Sequence, residues 1–155
     1  MLLPKKDSLN TAMFQHYAVT SILSNNTNEL IGARQQGGVM TIVKGDIAKY
    51  AISTEADSIG LNRWNYIDIF DGTKQLRIIY ACQSVISKSS LGIMHSQRRR
   101  FFLARSIDIF PRKLFIMDLT QFIASTIELR LEVILAVDSN EHVLKSKLAL
   151  QLQKL

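Results

Sequence analysis

The sequence predicts a mixed α/β layer fold, and three observations predict it. The first is Leu131–Glu141 (LEVILAVDSNE), an apolar run that stops abruptly at Asp138, Ser139, Asn140 and Glu141. Leu131, Val133, Leu135 and Val137 form one alternating set, and Ile134 and Ala136 extend the other, the pattern of an interior strand covered on both faces. The second is a pair of β-rich runs, Arg63–Phe70 and Gln75–Cys82, around Asp71-Gly72. That dipeptide is a hairpin turn signal, so the two runs pair antiparallel. The third is a set of helix-period segments between and after these strands.

The totals describe one folded domain, residues 1–155. At 47% hydrophobic and 21% charged residues the composition is that of a globular chain rather than a disordered one. Every long apolar run is interrupted by charge, so no membrane partner is expected. Met1–Lys6 has its short apolar part before its lysines, the reverse of a signal peptide. Cys82 is the single cysteine, which excludes an internal disulfide and, with the segment at Met1, points to an intracellular setting. The net charge of +6 favours polyanions such as nucleic acid, as it does for many basic proteins.

Taken in order, Asp7 or Ser8 is expected to cap a helix through Leu23, since Leu9, Met13 and Tyr17 fall four apart. Ser24–Asn28 reads as a loop. Gly37-Gly38 opens a short strand over Val39–Lys44, rich in β-branched residues. From Gly45 to Gly60 a long connection with one helical turn is expected. Within the hairpin, Leu76, Ile78, Tyr80 and Cys82 share one face, and Arg77, Ile79 and Ala81 the other. Ser84–Ser90 is a polar loop, and His95–Ile107 is helical. Pro111 breaks the chain before a helix over Arg112–Glu128. In it Phe115, Leu119, Phe122, Ile123 and Ile127 form the inner stripe, with Asp118, Gln121 and Ser125 mostly outside. A final helix carries Leu144, Leu148, Leu152 and Leu155 on its apolar side.

The exit of the LEVILAVD strand is the candidate site, because α/β sheets place ligands beyond the C-terminal ends of their strands. Phosphodiester hydrolysis needs an oriented water, a hold on the phosphate and compensation of negative charge. Asp138 suits the first task. Asn140 suits the second, since a carboxamide bonds a phosphate oxygen without repelling it. The same residues also fit a helix start: Asp138 followed by Glu141 resembles a capping box, with Ser139 or Asn140 as alternative caps. Taken alone, the four residues favour the cap.

An ordered series of phrases adds to that reading. VILAVDSNE resembles the strand leading to the Asp-x-Asn motif of the endonuclease/exonuclease/phosphatase superfamily, the DNase I-like fold, in the form found in retroelement proteins. GGVMTIV (Gly37–Val43) resembles its glycine-led strand, NRWNYIDI (Asn62–Ile69) its Arg-Trp strand, and LRIIYA (Leu76–Ala81) the strand with its active-site tyrosine. Gln97 and Pro111-Arg112 fall where relatives have a glutamine-containing helix and an Asp-Pro-Arg turn. The resemblance covers Gly37 to Glu141 and implies a partial DNase I-like α/β sandwich, with a mixed sheet and helices outside. It implies that Asp138 orients water or assists a Mg²⁺ or Mn²⁺ ion, that Asn140 contacts the scissile phosphate, and that Tyr80 hydrogen-bonds it. Some relatives place the tyrosine where Cys82 stands, and both residues lie on one strand face.

Two departures shape the expectation. Where the family has an early metal-binding glutamate this chain has Lys6 beside Asp7, and an ammonium repels a divalent cation. The sequence also stops at Leu155, before the family's later acidic residue and its closing Asp-His pair. A truncated or degenerate nuclease-like domain with impaired hydrolysis is therefore expected, with the metal ligands unknown and self-association through an incomplete sheet as one consequence. The competing reading is a non-catalytic nucleic-acid-binding or protein-interaction module. Its cations would be Arg98, Arg99, Arg100 and Arg112, joined by Arg105, Lys113 and the C-terminal lysines, with DNA ahead of RNA as the nucleic acid.

Overall fold

The computed structural model describes residues 19–23, 38–85, 92–141 and 146–155, the first stretch and Ile93 by backbone alone. Its elements are β1 (Val19–Leu23), β2 (Met40–Lys44), β3 (Ala51–Ala56), β4 (Trp64–Phe70), β5 (Gln75–Cys82), α1 (Ile93–Leu103), α2 (Pro111–Glu128), β6 (Glu132–Asp138) and α3 (Lys147–Leu152). Strands β3-β4-β5-β6 form a mixed sheet in that order, with β5 and β6 parallel and the other pairs antiparallel. A parallel pair needs a long crossover, and α1 and α2 supply it. β1 and β2 pair antiparallel as a separate ribbon.

The hairpin follows its turn chemistry. Asp71 Oδ1 accepts from the Thr73 and Lys74 amides at 2.8 and 2.9 Å, and Gly72 takes the positive φ of 100° that the turn requires. The backbone register places Trp64 opposite Ala81 and Asp68 opposite Arg77. On this face Trp64, Tyr66, Ile79 and Ala81 pack against Phe115, Leu119 and Ile123 of α2, with Val133 and Leu135 of β6 beside them. Each such fully buried side chain contributes about 1.5–3 kcal/mol. Leu148 of α3 closes the cluster. On the opposite face β2 covers β4: Thr41 Oγ1 donates to Asn65 Oδ1 at 2.7 Å, and Asn65 Nδ2 donates to the Val39 carbonyl at 3.1 Å.

Several expectations are corrected here. The strand buried on both faces is β4, whose residues Trp64–Ile69 are all buried. β6 is an edge strand with alternating exposure, and Ile134 is 51% exposed. Its second apolar set, Ile134 and Ala136, lies on the face of the sheet away from α2 and is open to solvent there. Residues 19–23 extend as β1 rather than completing a helix: Val19, Thr20 and Ile22 are β-branched and pair with Met40–Lys44. The rest of that expected helix and the Ser24–Asn28 loop lie outside the described residues. Gly45–Gly60 holds the expected helical turn, a 3₁₀ turn over Asp46–Tyr50, but also strand β3. Ile127 is exposed, while Asp118 points inward to an ion pair. The last helix starts at Lys147, capped by Ser146, whose Oγ accepts from the Ala149 amide at 3.0 Å. Leu155 lies beyond its end and is exposed, and Leu144 lies outside the described residues.

Helix ends are set by left-handed residues. Ser106 and Arg130 both have φ of 60° and each closes a Schellman motif, with Ile107 N bonding Phe102 O and Leu131 N bonding Thr126 O. α1 therefore stops at Leu103 and not at Ile107.

Arg63 joins the loop, sheet and helix layers. Its Nε and Nη2 donate to Asp57 at 2.6 and 3.0 Å, its Nη1 lies 2.8 Å from Asp118 Oδ2 on α2, and its carbonyl accepts from Cys82 N. Arg63→Met leaves Asp57 buried without its partner and is expected to cost about 3–5 kcal/mol in urea unfolding. An equally large loss in Arg100→Met, an exposed control, would contradict this. Arg130→Gly relieves a left-handed L-residue and is expected to raise stability by about 1 kcal/mol; a lowered melting temperature would contradict that.

Candidate functional site

β5 and β6 end side by side, with Cys82 opposite Asp138 and Tyr80 opposite Ala136. Asp138 is exposed and lies on the face shared by Tyr80 and Cys82. These residues, with Gly38, Val39 and Met40 of the chain leading into β2, line a recess of about 540 Å³. The structure thus brings Asp138, Tyr80 and Cys82 together at the strand end where the sequence placed the site. Burial pushes the Cys82 thiol above its ordinary value, and the Asp138 carboxylate adds to that rise. Both causes favour the thiol over the thiolate.

Beyond Asp138 the chain makes a tight turn rather than a helix start. Asp138 Oδ1 accepts from the Asn140 amide at 3.2 Å, an Asx turn, and Asn140 itself adopts a φ of 49°. Asn140 Nδ2 donates to the Gln83 carbonyl at 2.7 Å, while Gln83 N donates to the Asp138 carbonyl at 2.9 Å. Arg112 closes the arrangement from the first turn of α2: Nη2 donates to Gln83 Oε1 at 2.9 Å, to the Ser139 carbonyl at 3.3 Å, and to Glu141. The cap reading of these residues is not what the fold uses. Asp138–Glu141 is a clamped turn held between β5 and α2.

Four of the predicted cations are placed very differently. Arg98 is buried on α1, with Nη1 3.5 Å from the Cys82 carbonyl. Burial, with the Arg63 charge second, pushes its pKa down to about 10. Arg99 is paired with Asp108, and its guanidinium lies 5.4 Å from the Phe110 ring. Arg112 is committed to the turn. Arg100 alone of the four is exposed. A helix turns 100° per residue, so three consecutive arginines cannot share one face. Arg98 falls in phase with His95, Phe101 and Phe102, all buried, and that spacing is the signal by which its burial was legible.

Sequence reasoning missed two residues beside the site. Gln83 is fully buried and links Arg112, Asn140 and Asp138. His95 is fully buried, its Nδ1 3.5 Å from Ser84 Oγ and its ring 5.5 Å from Phe110. Burial, reinforced by the charges of Arg112, Arg99 and Arg98, holds the imidazole below its ordinary value of 6.5.

A Mg²⁺ or Mn²⁺ ion takes a shell of several oxygen ligands. At this strand end Asp138 is the accessible carboxylate, since Glu141 is committed to Arg112. Among the described residues no three His, Cys, Asp or Glu side chains gather as a metal-binding group. The residues described do not fit such an ion. Also among them, no helix is long and apolar enough to cross a membrane. No family model, curated protein or solved structure matches the chain.

His95 makes a testable pH dependence. The folded protein holds it neutral, whereas the unfolded chain protonates it as an ordinary imidazole, so the unfolded state binds more protons. Stability is expected to fall as pH drops below 6.5. His95→Gln should flatten that part of the urea-midpoint profile between about pH 7 and pH 5. An unchanged slope in the variant would assign the acid sensitivity elsewhere.

Proposed function

We propose that this chain is a nuclease-like domain of the DNase I-like phosphodiesterase fold, in which metal-dependent hydrolysis of nucleic-acid phosphodiester bonds is impaired. The observation that carries the reading is the register of the parallel pair. It sets exposed Asp138 beside Cys82 and two residues from Tyr80 on one face, at the C-terminal ends of β5 and β6. That is where an α/β sheet presents its chemistry.

In this reading Asp138 orients a water toward a phosphate lying in the recess by Gly38–Met40, and Tyr80 or Cys82 faces the phosphate oxygens. Asn140 would contact the phosphate only after releasing the Gln83 carbonyl, a cost of about 1 kcal/mol for one neutral hydrogen bond. Impairment follows from the same geometry: Asn140 is turned away, Glu141 is paired with Arg112, and of Arg98, Arg99, Arg100 and Arg112 only Arg100 is exposed. DNA is the favoured substrate, with RNA second. A non-catalytic nucleic-acid or protein-binding module is the second reading, favoured by the engagement of Asn140 and Glu141 in structural bonds.

Plasmid nicking separates the two. With Mg²⁺ or Mn²⁺, slow nicking is expected, falling at least about tenfold in Asp138→Ala, as removal of a group that orients or deprotonates water does. Nicking at the wild-type rate in that variant would remove the nuclease reading. Rapid turnover abolished by the same substitution would instead remove the impairment.

A further inference from the structure

A second surface adjoins the strand-end turn on its α2 side, where Arg112 and Glu141 line both. Between α2 and α3 lies a groove of about 1340 Å³, lined from Phe110, the residue before α2, to Ala124, and by Lys147, Leu150 and Gln151 of α3 with Lys154 and Leu155 beyond its end. Its apolar residues are unusually open: Phe110 is 54% exposed, Met117 50%, Leu150 52% and Leu155 48%. A single exposed apolar side chain is ordinary, whereas several gathered in one concave surface mark a binding site. Neither hydrophobic cluster of the core includes these four residues.

The side-chain charges of the groove that are not engaged in ion pairs are cationic. Lys113, Lys147 and Lys154 line it and are exposed. The two carboxylates that also line it are both committed, Asp118 to Arg63 and Glu141 to Arg112. The shape is set by two helices, and the valley between two helices takes a third by packing its ridges into their grooves. From Phe110 to Ala124 the helical rise gives roughly 21 Å, the length of about 14 helical residues.

We propose that this groove docks an amphipathic helix of a partner protein, with apolar residues at i, i+3, i+4 and i+7 and acidic residues on its flanks. The apolar stripe seats on Met117 and Leu150, and the flanking carboxylates meet Lys113, Lys147 and Lys154. The apolar floor favours a protein helix over a nucleic-acid backbone, which would leave Met117 and Leu150 against phosphates. The proposal is independent of the nuclease reading, because no residue of the Asp138 recess lines the groove.

The experiment titrates a fluorescent designed peptide of about 16 residues into the full chain, following anisotropy. The peptide carries Leu at the stripe positions and Glu on the flanks. Saturable micromolar binding that weakens with salt is expected. Met117→Asp should raise Kd at least about tenfold, and Lys113→Glu with Lys147→Glu should do so for the acidic peptide alone. A version with Lys on its flanks should not bind. No binding of the acidic peptide to a chain shown folded by circular dichroism would overturn the proposal, as would a Kd indifferent to Met117→Asp. Light scattering that shows a dimer broken by Met117→Asp would give the groove to a second copy. A photo-crosslinking residue in place of Met117 that captures residues 1–37 of the same chain would give it to that segment. A DNA duplex bound through Lys113 and Lys147 but indifferent to Met117→Asp would give it to polyanions. Each of these three results also overturns the proposal.

Discussion

The fold depends on one buried guanidinium. Arg63 and Asp57 are both fully removed from solvent, and transferring either charge alone from water costs several kcal/mol. The cost is offset because the pair is bidentate and because Asp118 reaches Arg63 from α2. The same residue fixes three things at once. It closes the turn between β3 and β4, whose Asn62 and Gly60 take positive φ. It ties the sheet to the helix layer, with its guanidinium 4.5 Å from the Trp64 ring. Through its carbonyl it also holds Cys82 N, the last residue of β5. Arg98 shares this interior, so two guanidiniums and two carboxylates lie together at the end of the sheet that carries the site.

That arrangement explains why the strand-end turn is so constrained. Among the described residues no helix begins within the turn after Asp138. Its backbone and side chains are held by Gln83 from one side and Arg112 from the other. Bonds that give the turn a single conformation also occupy the amide and carboxylate that a ligand would use. Asp138 is the exception: it remains exposed, with one oxygen steadied by the Asn140 amide. Precision and availability compete here, and the local bonds favour precision.

How much could be read from the sequence depended on how local the determinants were. The Asp71-Gly72 hairpin was legible because Asp71 bonds its own neighbours and Gly72 supplies its own φ. The position of Asp138 at a strand end was legible for the same reason. β3 was not: Ala51–Ala56 (AISTEA) has no clear alternation, and its strand character comes from pairing with β4. β6 was read as interior because Ile134 and Ala136 are apolar, and composition cannot say whether a second layer covers that face of the strand. Asp118 was placed outside because it is charged, and its partner Arg63 is remote in sequence. The clamp of Arg112 on Gln83 and Glu141 joins three elements, so no window along the chain contained it.

Among the described residues β6 has no strand on its outer side, which bears on behaviour in concentrated solution. A strand with one bare side is a template for joining sheets into larger aggregates. β6 starts with Glu132 and ends with Asp138. Two copies aligned head to tail about Leu135 would set Glu132 against Asp138 at both ends, and two aligned in parallel would set each carboxylate against its own copy. Glu132 is already paired with Lys74 at 2.7 Å, so the unpaired charge at this margin is that of Asp138. The parallel alignment brings two Asp138 carboxylates together, which opposes strand pairing, and this is the residue on which the candidate chemistry rests.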